Sequence, residues 1–373
     1  MLRLETRPQP SKAMSFASPL IALAITVLIG VVLFWILGKD PLRGLQMFFY
    51  EPVKNVYGLA ELSVKATPLI LIALGLAVCY RANVWNIGAE GQYIFGALGG
   101  GWVAMQAGPG TAWMGHAFLV PIMIGGVLGG MLWAALVALL RDRFSANEIL
   151  VSLMLVYVAD LLLGWLVNGP WQDPDGHNFP QTITFLAQTK LPRLIPGLRA
   201  HIGLLLALVA VGCFWVFLFR TYRGFALQVG GLAPAAARYA GFSARDALWV
   251  GLLISGGMAG LAGALEVVGP LGQLTPYVSA GYGFAAIIVA YVGRLHPVGI
   301  LFSGFLMSLF YIGGELAQSR LGLPKALTGV FQGLLLFTLL ACDTLIYYRV
   351  SWRSAPAAIA APRTAVATAT KEA

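Results

Sequence analysis

The most concentrated set of polar side chains in this sequence lies in the ten-residue stretch NVWNIGAEGQ, inside a long apolar region. Its amide and carboxylate groups can hydrogen-bond the hydroxyls of a polar solute, and its tryptophan can stack on an aromatic ring. The five residues are Asn83, Trp85, Asn86, Glu90 and Gln92. Because a charge at mid-membrane is costly, Glu90 needs water or a partner. One interpretation is a polar lining or gate of a translocation path.

A second interpretation of the same residues is structural. Asn86 suits the N-cap of a helix, and Glu90 suits its first turn, where the helix dipole favours an acid. Gly88 and Gly91 flank the acid and would let another backbone approach it. The two interpretations are compatible, and both stay open at this point.

Further polar residues lie at the start of the fifth apolar stretch and within it. Ser145 or Asn147 is a suitable N-cap with Glu148 in the first turn, so capping is favoured over lining a path. Asp160 follows about three turns later, and an acid at that depth is expected to face the bundle interior or a basic or hydroxyl partner. Asn147 and Asp160 are also candidates for lining the translocation path.

A basic segment, Arg220–Asp246, separates two strongly apolar stretches. Its four arginines are Arg220, Arg223, Arg238 and Arg245, and they are accompanied by one acid. A short helix is predicted inside it, because Pro234 suits a first helical position, an alanine-rich run follows, and Gly241 supplies a stop. About seven residues cannot form a helix that is stable alone in water. We expect a docking element on the cytoplasmic side.

The composition places these segments in a membrane. The chain of 373 residues is 59% hydrophobic and 10% charged, with mean hydropathy +0.81, whereas soluble domains carry about 25% charged residues. The net charge of +9 is explained by basic loops on the cytoplasmic side and not by nucleic-acid binding. The three cysteines show no metal-binding or disulfide spacing.

The apolar runs predict an all-α polytopic membrane protein with about ten transmembrane helices and both termini in the cytoplasm. This orientation puts most lysines and arginines in inner loops. The run near 280–293 is too short for a full crossing, so it is expected to be a short or re-entrant helix. The runs are Pro19–Gly38, one ending near Tyr80, Ile87–Gln106, Ala117–Leu140, Ile149–Val167, Ile202–Phe219, Ala247–Val268, Ala280–Val292, Val298–Leu316 and Ala326–Tyr348.

The same pattern divides the chain into three parts. A cytoplasmic tail, 1–17, precedes a transmembrane domain, 18–348, and a disordered cytoplasmic tail, 349–373, is rich in alanine, proline and threonine. Within the domain, the loop 169–200 is expected outside and the loop 220–246 inside. Glycine pairs four residues apart predict close helix crossings: Gly96/Gly100, Gly125/Gly129, Gly126/Gly130 and Gly256/Gly260.

Several catalytic patterns are absent from the sequence. It contains no G-x-x-x-x-G-K-[ST] for nucleotide binding, no H-E-x-x-H for zinc and no G-x-S-x-G for a serine nucleophile. We therefore expect a protein that is not an enzyme, with no catalytic residues, no metal and no cofactor of its own.

An ordered set of motifs then identifies a family. The sequence resembles the permease subunits of bacterial ABC importers for branched-chain amino acids, ribose and nucleosides, over roughly residues 60–340. The sequence of the first motif is most similar to that of the nucleoside or simple-sugar branch of this family. The motifs are Asn83–Gln92, Asn147–Leu150, Ala235–Phe242, Ser255–Gly263, Gly281–Ile287 and Pro297–Gly299.

The resemblance implies a multi-pass protein of the bacterial cytoplasmic (inner) membrane that translocates nucleosides or related simple sugars. It implies cytoplasmic ATPase subunits that hold the ATP, a second permease subunit (the same chain or a paralogue) and an extracytoplasmic solute-binding protein. Coupling to the ATPase would fall on the basic loop. The residues concerned are Arg223, Pro234, Ala236, Ala237, Arg238 and Gly241.

Two alternatives remain at this stage. A secondary carrier would use Glu90 or Asp160 for proton coupling, although most acids of this sequence lie near the ends of apolar runs. Glu61 and Lys65, for example, are four residues apart and predict a structural helical pair. A passive channel or scaffold is the third possibility.

Overall fold

The computed structural model describes residues 2–7 and 11–352 of the chain. These residues form fourteen α-helices and two short β-strands. The helices are α1 (Lys12–Ile36), α2 (Pro41–Leu45), α3 (Glu51–Lys54), α4 (Val56–Arg81), α5 (Ala89–Met105), α6 (Leu119–Phe144), α7 (Glu148–Asn168), α8 (Gly203–Arg220), α9 (Tyr222–Leu232), α10 (Pro234–Tyr239), α11 (Ala244–Glu266), α12 (Tyr282–Val292), α13 (Pro297–Leu321) and α14 (Ala326–Tyr347). The strands are β1 (Leu2–Thr6) and β2 (Tyr348–Trp352).

The prediction of an all-α polytopic membrane protein is confirmed. Among the described residues, eight helices are long and apolar enough to cross a membrane, and they contain α1, α4, α6, α7, α8, α11, α13 and α14. Two further predicted runs form shorter helices, α5 with 17 residues and α12 with 11. The short helix expected near 280–293 is α12.

Helix α4 lies at the centre of the larger unit of the fold. Its apolar residues are distributed around its whole circumference, which is typical of a fully buried helix. It is buried almost without interruption from Ala60 to Tyr80. Helices α8, α11, α12 and α13 all pack against it.

Glycines bring α5, α6 and α11 into backbone contact. A Cβ atom on Gly260 of α11 would overlap the backbone of Gly126 and Gly130 of α6, and one on Gly96 of α5 would overlap Gly260 itself. A Cβ on Gly256 would likewise collide with Gly130. The close crossings predicted from the four-residue spacings are therefore confirmed for these three helices.

The segment before α12 is not helical. Helix α11 continues through a π-helical turn to Leu271, and residues 272–281 then follow without regular structure until α12 begins. Backbone hydrogen bonds from the loop 169–200 hold this segment, including Thr182 N–H to Leu274 O at 3.0 Å and Phe185 N–H to Gly272 O at 2.9 Å. The non-helical segment and α12 together connect the end of α11 to the start of α13.

Among the described residues, those up to Ile25 and those from Phe337 to Trp352 form a smaller unit of their own, whereas Thr26–Leu336 form the larger unit. In the smaller unit β1 pairs with β2 in antiparallel register, Leu2 opposite Trp352. The pairing puts both strands on one side of the membrane. That this side is the cytoplasm stays a prediction.

Two boundaries differ from those predicted. Helix α1 begins at Lys12, inside the segment 1–17 assigned to a tail, because the helical conformation extends beyond the apolar run. Strand β2 includes the first residues of the segment 349–373 assigned to a disordered tail, because β1 supplies a pairing edge that no local pattern indicates. The rest of that tail, 353–373, lies outside the described residues.

Candidate functional site

The carboxylate of Glu90 lies at the N-terminus of α12. The hydroxyl of Ser279 and the backbone N–H of Gly283 both donate hydrogen bonds to it, and the N–H of Gly281 donates to Oε1 at 3.0 Å. The first N–H groups of a helix lack intrahelical partners and carry partial positive charge, so a buried carboxylate is stabilised there. Glu90 is 2% exposed. It therefore joins the beginnings of α5 and α12.

Only glycine permits this junction at position 283. A Cβ atom on Gly283 would collide with the backbone of Glu90 as well as with its carboxylate. The sequence shows Gly281 and Gly283 as part of a motif, but nothing in it connects them to an acid almost two hundred residues earlier. The partner of Glu90 could be found only from the structure.

Asn86 holds the turn that leads into α5. Its Nδ2 donates to Oε1 of Gln92 and to Oγ of Ser255, both at 2.9 Å. Its Oδ1 accepts the N–H of Gly88 at 3.0 Å. The expected N-cap role is wrong in detail, because Gly88 is the N-cap of α5 and Asn86 precedes it by two residues. Asn86 and Gln92 are completely buried, with their polar atoms bonded to protein.

Asn83 and Trp85 lie on the accessible side of the same turn. Trp85 Nε1 donates to Asn83 Oδ1 at 3.2 Å, and Asn83 adopts a positive φ of 56°. The indole lies beside the rings of Tyr80 and Tyr291, with centroids 5.6 and 6.4 Å away. Of the five candidates in this stretch, these two are exposed, and Asn86, Glu90 and Gln92 are buried. A role in a translocation path stays a prediction for all five.

Asn147 caps α7, as the favoured interpretation expects. Its Oδ1 accepts the N–H of Ile149 at 2.9 Å and that of Leu150 at 3.4 Å. Glu148 occupies the first turn and pairs with Arg141 at 3.2 Å. These bonds fix the angle at which α7 leaves the short loop after α6.

The expectation that Asp160 faces the bundle interior is wrong, and its alternative, a basic or hydroxyl partner, stays a prediction. Asp160 lies on the exposed surface of α7 instead of facing the bundle interior. The helix turns Ser152, Val156, Ala159 and Leu163 inward, and Asp160 falls outside this stripe. A single-helix pattern cannot show which sector of a helix its neighbours cover when most of its residues are apolar.

Arg81, at the end of α4, connects three elements and was not among the predicted site residues. Its Nε donates to the carbonyl of Leu295 at 2.8 Å, just after α12, and its Nη1 donates to Oε1 of Gln228 in α9 at 2.7 Å. The guanidinium also lies 5.0 Å from the ring of Phe219. The polar turn and the basic loop thus share one arginine.

The predicted short helix in the basic segment is present as α10, and α9 precedes it. Thr221 caps α9 by accepting the N–H of Gly224 at 3.1 Å. Near its end, Gly231 passes so close to α4 that a Cβ atom there would collide with the backbone of Arg81. The sequence showed one helix in this segment, and the structure has two.

The ends of α10 follow the predicted chemistry. Pro234 is its first residue, and Gly241 after its end has φ of +79°, which favours glycine. Phe242 N–H bonds to Ala237 O at 2.9 Å and Gly241 N–H to Arg238 O at 3.1 Å. This pair of bonds is the Schellman motif, which satisfies the last carbonyls of a helix.

Helix α10 is anchored by one face and leaves the other open. Ala237 is 4% exposed, whereas Ala236 and Arg238 are exposed and Tyr239 is 97% exposed. Beside the helix is a cavity of about 830 Å³ whose lining includes Arg223, Arg238 and Asp246. An accessible helix beside a charged cavity can receive a partner.

An ion pair fixes the base of this region. Arg245 Nη2 lies 2.8 Å from Asp142 Oδ2, and Trp249 Nε1 donates to the same oxygen at 3.3 Å. This links the start of α11 to the end of α6. Burial and then the charge of Arg81 lower the pKa of His296, which keeps this histidine neutral near pH 7.

Within residues 2–7 and 11–352, no group of three or more His, Cys, Asp and Glu side chains is arranged to hold a metal ion. The chemistry of the site therefore rests on hydrogen bonds, helix termini and the basic loop.

Comparisons with known proteins agree with these features. The family model described as "Branched-chain amino acid transport system / permease component" matches residues 58–340. The chain is 33% identical to the glucose ABC transporter permease protein TsgB13 of Haloferax volcanii, over 94% of this chain and 93% of that protein. No solved structure matches the chain significantly.

Two further relatives come from one organism, Bacillus subtilis. The chain is 28% identical to its guanosine ABC transporter permease protein NupP, over 84% of this chain and 89% of that protein. It is 30% identical to the guanosine ABC transporter permease protein NupQ, over 68% of this chain and 81% of that protein. The chain is thus similar to two permeases that carry the same transporter name.

Proposed function

The chain belongs to the branched-chain amino acid transport system permease family, and on this premise we propose that it moves nucleosides or related simple sugars through an ABC importer. It is a permease component and a multi-pass protein of the inner membrane. The substrate class is supported by the names of its relatives, which specify glucose and guanosine. Amide and indole groups around Asn83 and Trp85 suit hydroxylated solutes and bases.

The observation that carries the mechanism is the exposure of α10. An ATPase subunit on the cytoplasmic side docks on α10 and in the adjoining cavity, where Tyr239 and Leu232 present apolar surface and Arg223 and Arg238 present charge. Leu232 is 87% exposed, so its side chain contributes little to the fold of the chain itself. ATP is bound by the ATPase subunits.

Movement then passes from α10 through α9 to Arg81. Gln228 and the close approach of Gly231 join α9 to the end of α4. From Arg81 the chain turns through Asn86 into α5, where Glu90 holds the start of α12. A displacement of α9 by the ATPase would therefore bias the junction of two short helices within the membrane, which is a two-state element of the kind that nucleotide can shift.

The other partners follow from the same proposal. An extracytoplasmic solute-binding protein delivers the substrate, and both termini of this chain lie in the cytoplasm. The second permease is a paralogue, a choice supported by two different Bacillus subtilis relatives that are both named guanosine ABC transporter permease proteins.

The docking proposal is tested with Tyr239→Ala in the complex reconstituted from the neighbouring genes. The matched control is Tyr277→Ala, because Tyr277 is 83% exposed but lies in the segment between α11 and α12. We expect Tyr239→Ala to lower the amount of ATPase subunit that co-purifies and the rate of ATP-driven uptake, with Tyr277→Ala retaining the ATPase subunit. Unchanged ATPase binding in Tyr239→Ala together with Leu232→Ala would refute the proposal.

Substrate and energy source are tested separately. A thermal-shift screen of the neighbouring solute-binding protein with nucleosides and sugars should identify a ligand of one of these classes. Uptake by this chain alone in liposomes, driven by a proton gradient without ATPase subunits, would instead indicate a secondary carrier that uses Glu90 or Asp160.

A further inference from the structure

The outer surface of α7 carries an ionisable side chain at mid-span. Asp160 is exposed, and it lies twelve residues after the first and eight before the last residue of Glu148–Asn168. At about 1.5 Å per residue, these positions are about 18 Å and about 12 Å along the axis from the two ends. Asp160 therefore lies near the middle of a hydrocarbon core that is about 30 Å thick.

No partner for this carboxylate is found in the chain. Across residues 2–7 and 11–352, no hydrogen bond or ion pair involves the Asp160 side chain. Three other acids on apolar helices are bonded: Glu61 pairs with Arg199, Glu315 pairs with Lys65, and Glu90 is held by the start of α12. An unpaired acid that faced lipid at this depth would be strongly disfavoured.

Helix α8 provides the comparison. Its span and that of α7 are buried to the same small extent, yet α8 has no charged residue before Arg220 at its end. Acyl chains can cover an entirely apolar surface such as that of α8. The surface of α7 needs a neighbour that offers a hydrogen-bond donor at the depth of Asp160.

We propose that the face of α7 around Tyr157, Asp160 and Gly164 is the contact surface for the paralogous second permease, which supplies a donor to Asp160 within the membrane. This inference rests on the proposed function, because that function requires a second permease. The inference adds which surface of this chain the second permease contacts, which residue is central to that contact, and that the partner must offer a hydrogen-bond donor. A Cβ atom on Gly164 would meet nothing within 4 Å, so a neighbouring helix can approach closely there.

A second copy of this chain fits less well. Two copies related by a two-fold axis would present identical faces at equal depth, and a contact centred on α7 would bring two carboxylates together. The donor that this chain itself offers one turn away is the phenol of Tyr157, which is 61% exposed. A second copy is therefore the competing occupant in the test.

The first experiment is photo-crosslinking in membranes that contain the whole importer. A benzophenone amino acid replaces Tyr157 on α7 or, as the control, the exposed Val209 on α8, and the paralogue and a second copy carry different tags. We expect an adduct with the paralogue from position 157 and none from position 209. An adduct only with the second copy, an equal adduct from 209, or no adduct from 157 in an assembled complex would overturn the proposal.

The second experiment measures how much paralogue co-purifies with Asp160→Leu, Asp160→Asn and the neighbouring control Val158→Leu. Loss of the acceptor in Asp160→Leu should reduce the paralogue several-fold, Asp160→Asn should reduce it less, and Val158→Leu should leave it unchanged. Normal co-purification in Asp160→Leu would refute the contact at this residue.

These outcomes are distinguishable from failure of the proposed function. If the wild-type complex imports nucleosides or sugars while Asp160→Leu retains the paralogue, only the assignment of the α7 surface fails. If the wild-type complex imports neither, the proposed function fails, and co-purification still decides whether α7 contacts the paralogue.

Discussion

Arg81 donates from Nη1 to Oε1 of Gln228 at 2.7 Å, and so joins the central helix α4 to the first helix of the basic loop. Gln228 in turn donates from Nε2 to the carbonyl of Leu218 at 2.6 Å. The amide therefore links α4, α8 and α9 at one point. Any force applied to α9 by a docked partner acts on this link.

The link predicts an uncoupled variant. Hydrogen bonds to charged groups contribute about 1.5–3 kcal/mol, so Gln228→Leu should lower uptake per ATP hydrolysed by about tenfold, since about 1.4 kcal/mol corresponds to a factor of ten. Uptake and hydrolysis are measured together in proteoliposomes. Gln106→Leu, an exposed position after α5, is the control. If uptake per ATP hydrolysed were equal in the two variants, the Arg81–Gln228 hydrogen bond would not be needed to couple ATP hydrolysis to transport.

The Schellman motif predicts a conformational requirement at Gly241. Its φ of +79° costs a residue with a side chain about 1–2 kcal/mol. Gly241→Val should therefore loosen α10 and reduce the co-purified ATPase subunit, whereas Gly241→Asn should retain more of it because asparagine tolerates this conformation. If both variants retain the ATPase subunit equally, the geometry of α10 is not needed for docking.

The cap on α12 predicts a local loss of protection. In Glu90→Gln one acceptor oxygen is replaced by an NH₂ group that faces backbone N–H groups, and an unsatisfied buried donor costs about 1–3 kcal/mol. Amides at 281–285 should exchange hydrogen faster, and the melting temperature should fall. Glu148→Gln, which removes a partly exposed ion pair, should cost at most about 1 kcal/mol. Unchanged exchange at 281–285 would show that the cap is dispensable.

Because Gly260 contacts the backbone of α6 and Gly212 has open space, alanine substitution should change the melting temperature differently at these two glycines. Gly260→Ala forces a methyl group against the backbone of α6, so the melting temperature should fall. Gly212 on α8 has nothing within 4 Å of its Cβ position, and alanine there should be neutral or raise stability by up to about 1 kcal/mol through helix propensity. Similar behaviour of the two variants would contradict the close crossing.

A buried histidine predicts a pH dependence of stability. Burial, with the charge of Arg199 as a second cause, lowers the pKa of His201 from 6.5 to about 4. Between these values the unfolded chain binds more protons, so the free energy of unfolding falls as pH falls from 6.5 towards 4. The full difference is about 3 kcal/mol, at 1.36 kcal/mol per unit.

The check is a series of melting temperatures over that pH range. His201→Gln should flatten the dependence, while His116→Gln, at an exposed histidine, should leave it intact. If the melting temperature of His201→Gln still fell with pH, the pH dependence of stability would come from other titratable groups.

Local features of this fold could be predicted from sequence, because their causes lie within a few residues. Pro234 and Gly241 mark the ends of α10, Asn147 marks the start of α7, and glycine spacing marks the crossing of α6 and α11. Each depends on the preference of one residue type for one backbone conformation or contact.

Pairings between distant segments could not be predicted. Glu61 and Lys65 are spaced as a helical pair, yet they bond to Arg199 and Glu315 respectively. Glu90 finds its partners at the start of α12, and Asp160 faces away from the bundle. In each case the partner of the side chain depends on which helix packs beside it. When a helix is apolar around its whole circumference, its sequence does not indicate which helix that is.

The antiparallel pairing of β1 with β2 brings the backbone at Leu2 beside that at Trp352, and paired strands lie about 5 Å apart. A chain shortened to residue 352 is therefore nearly a closed ring. A few added residues could join its ends, and new ends could be opened in the loop 169–200 to give a circular permutant with the same helices in the bilayer.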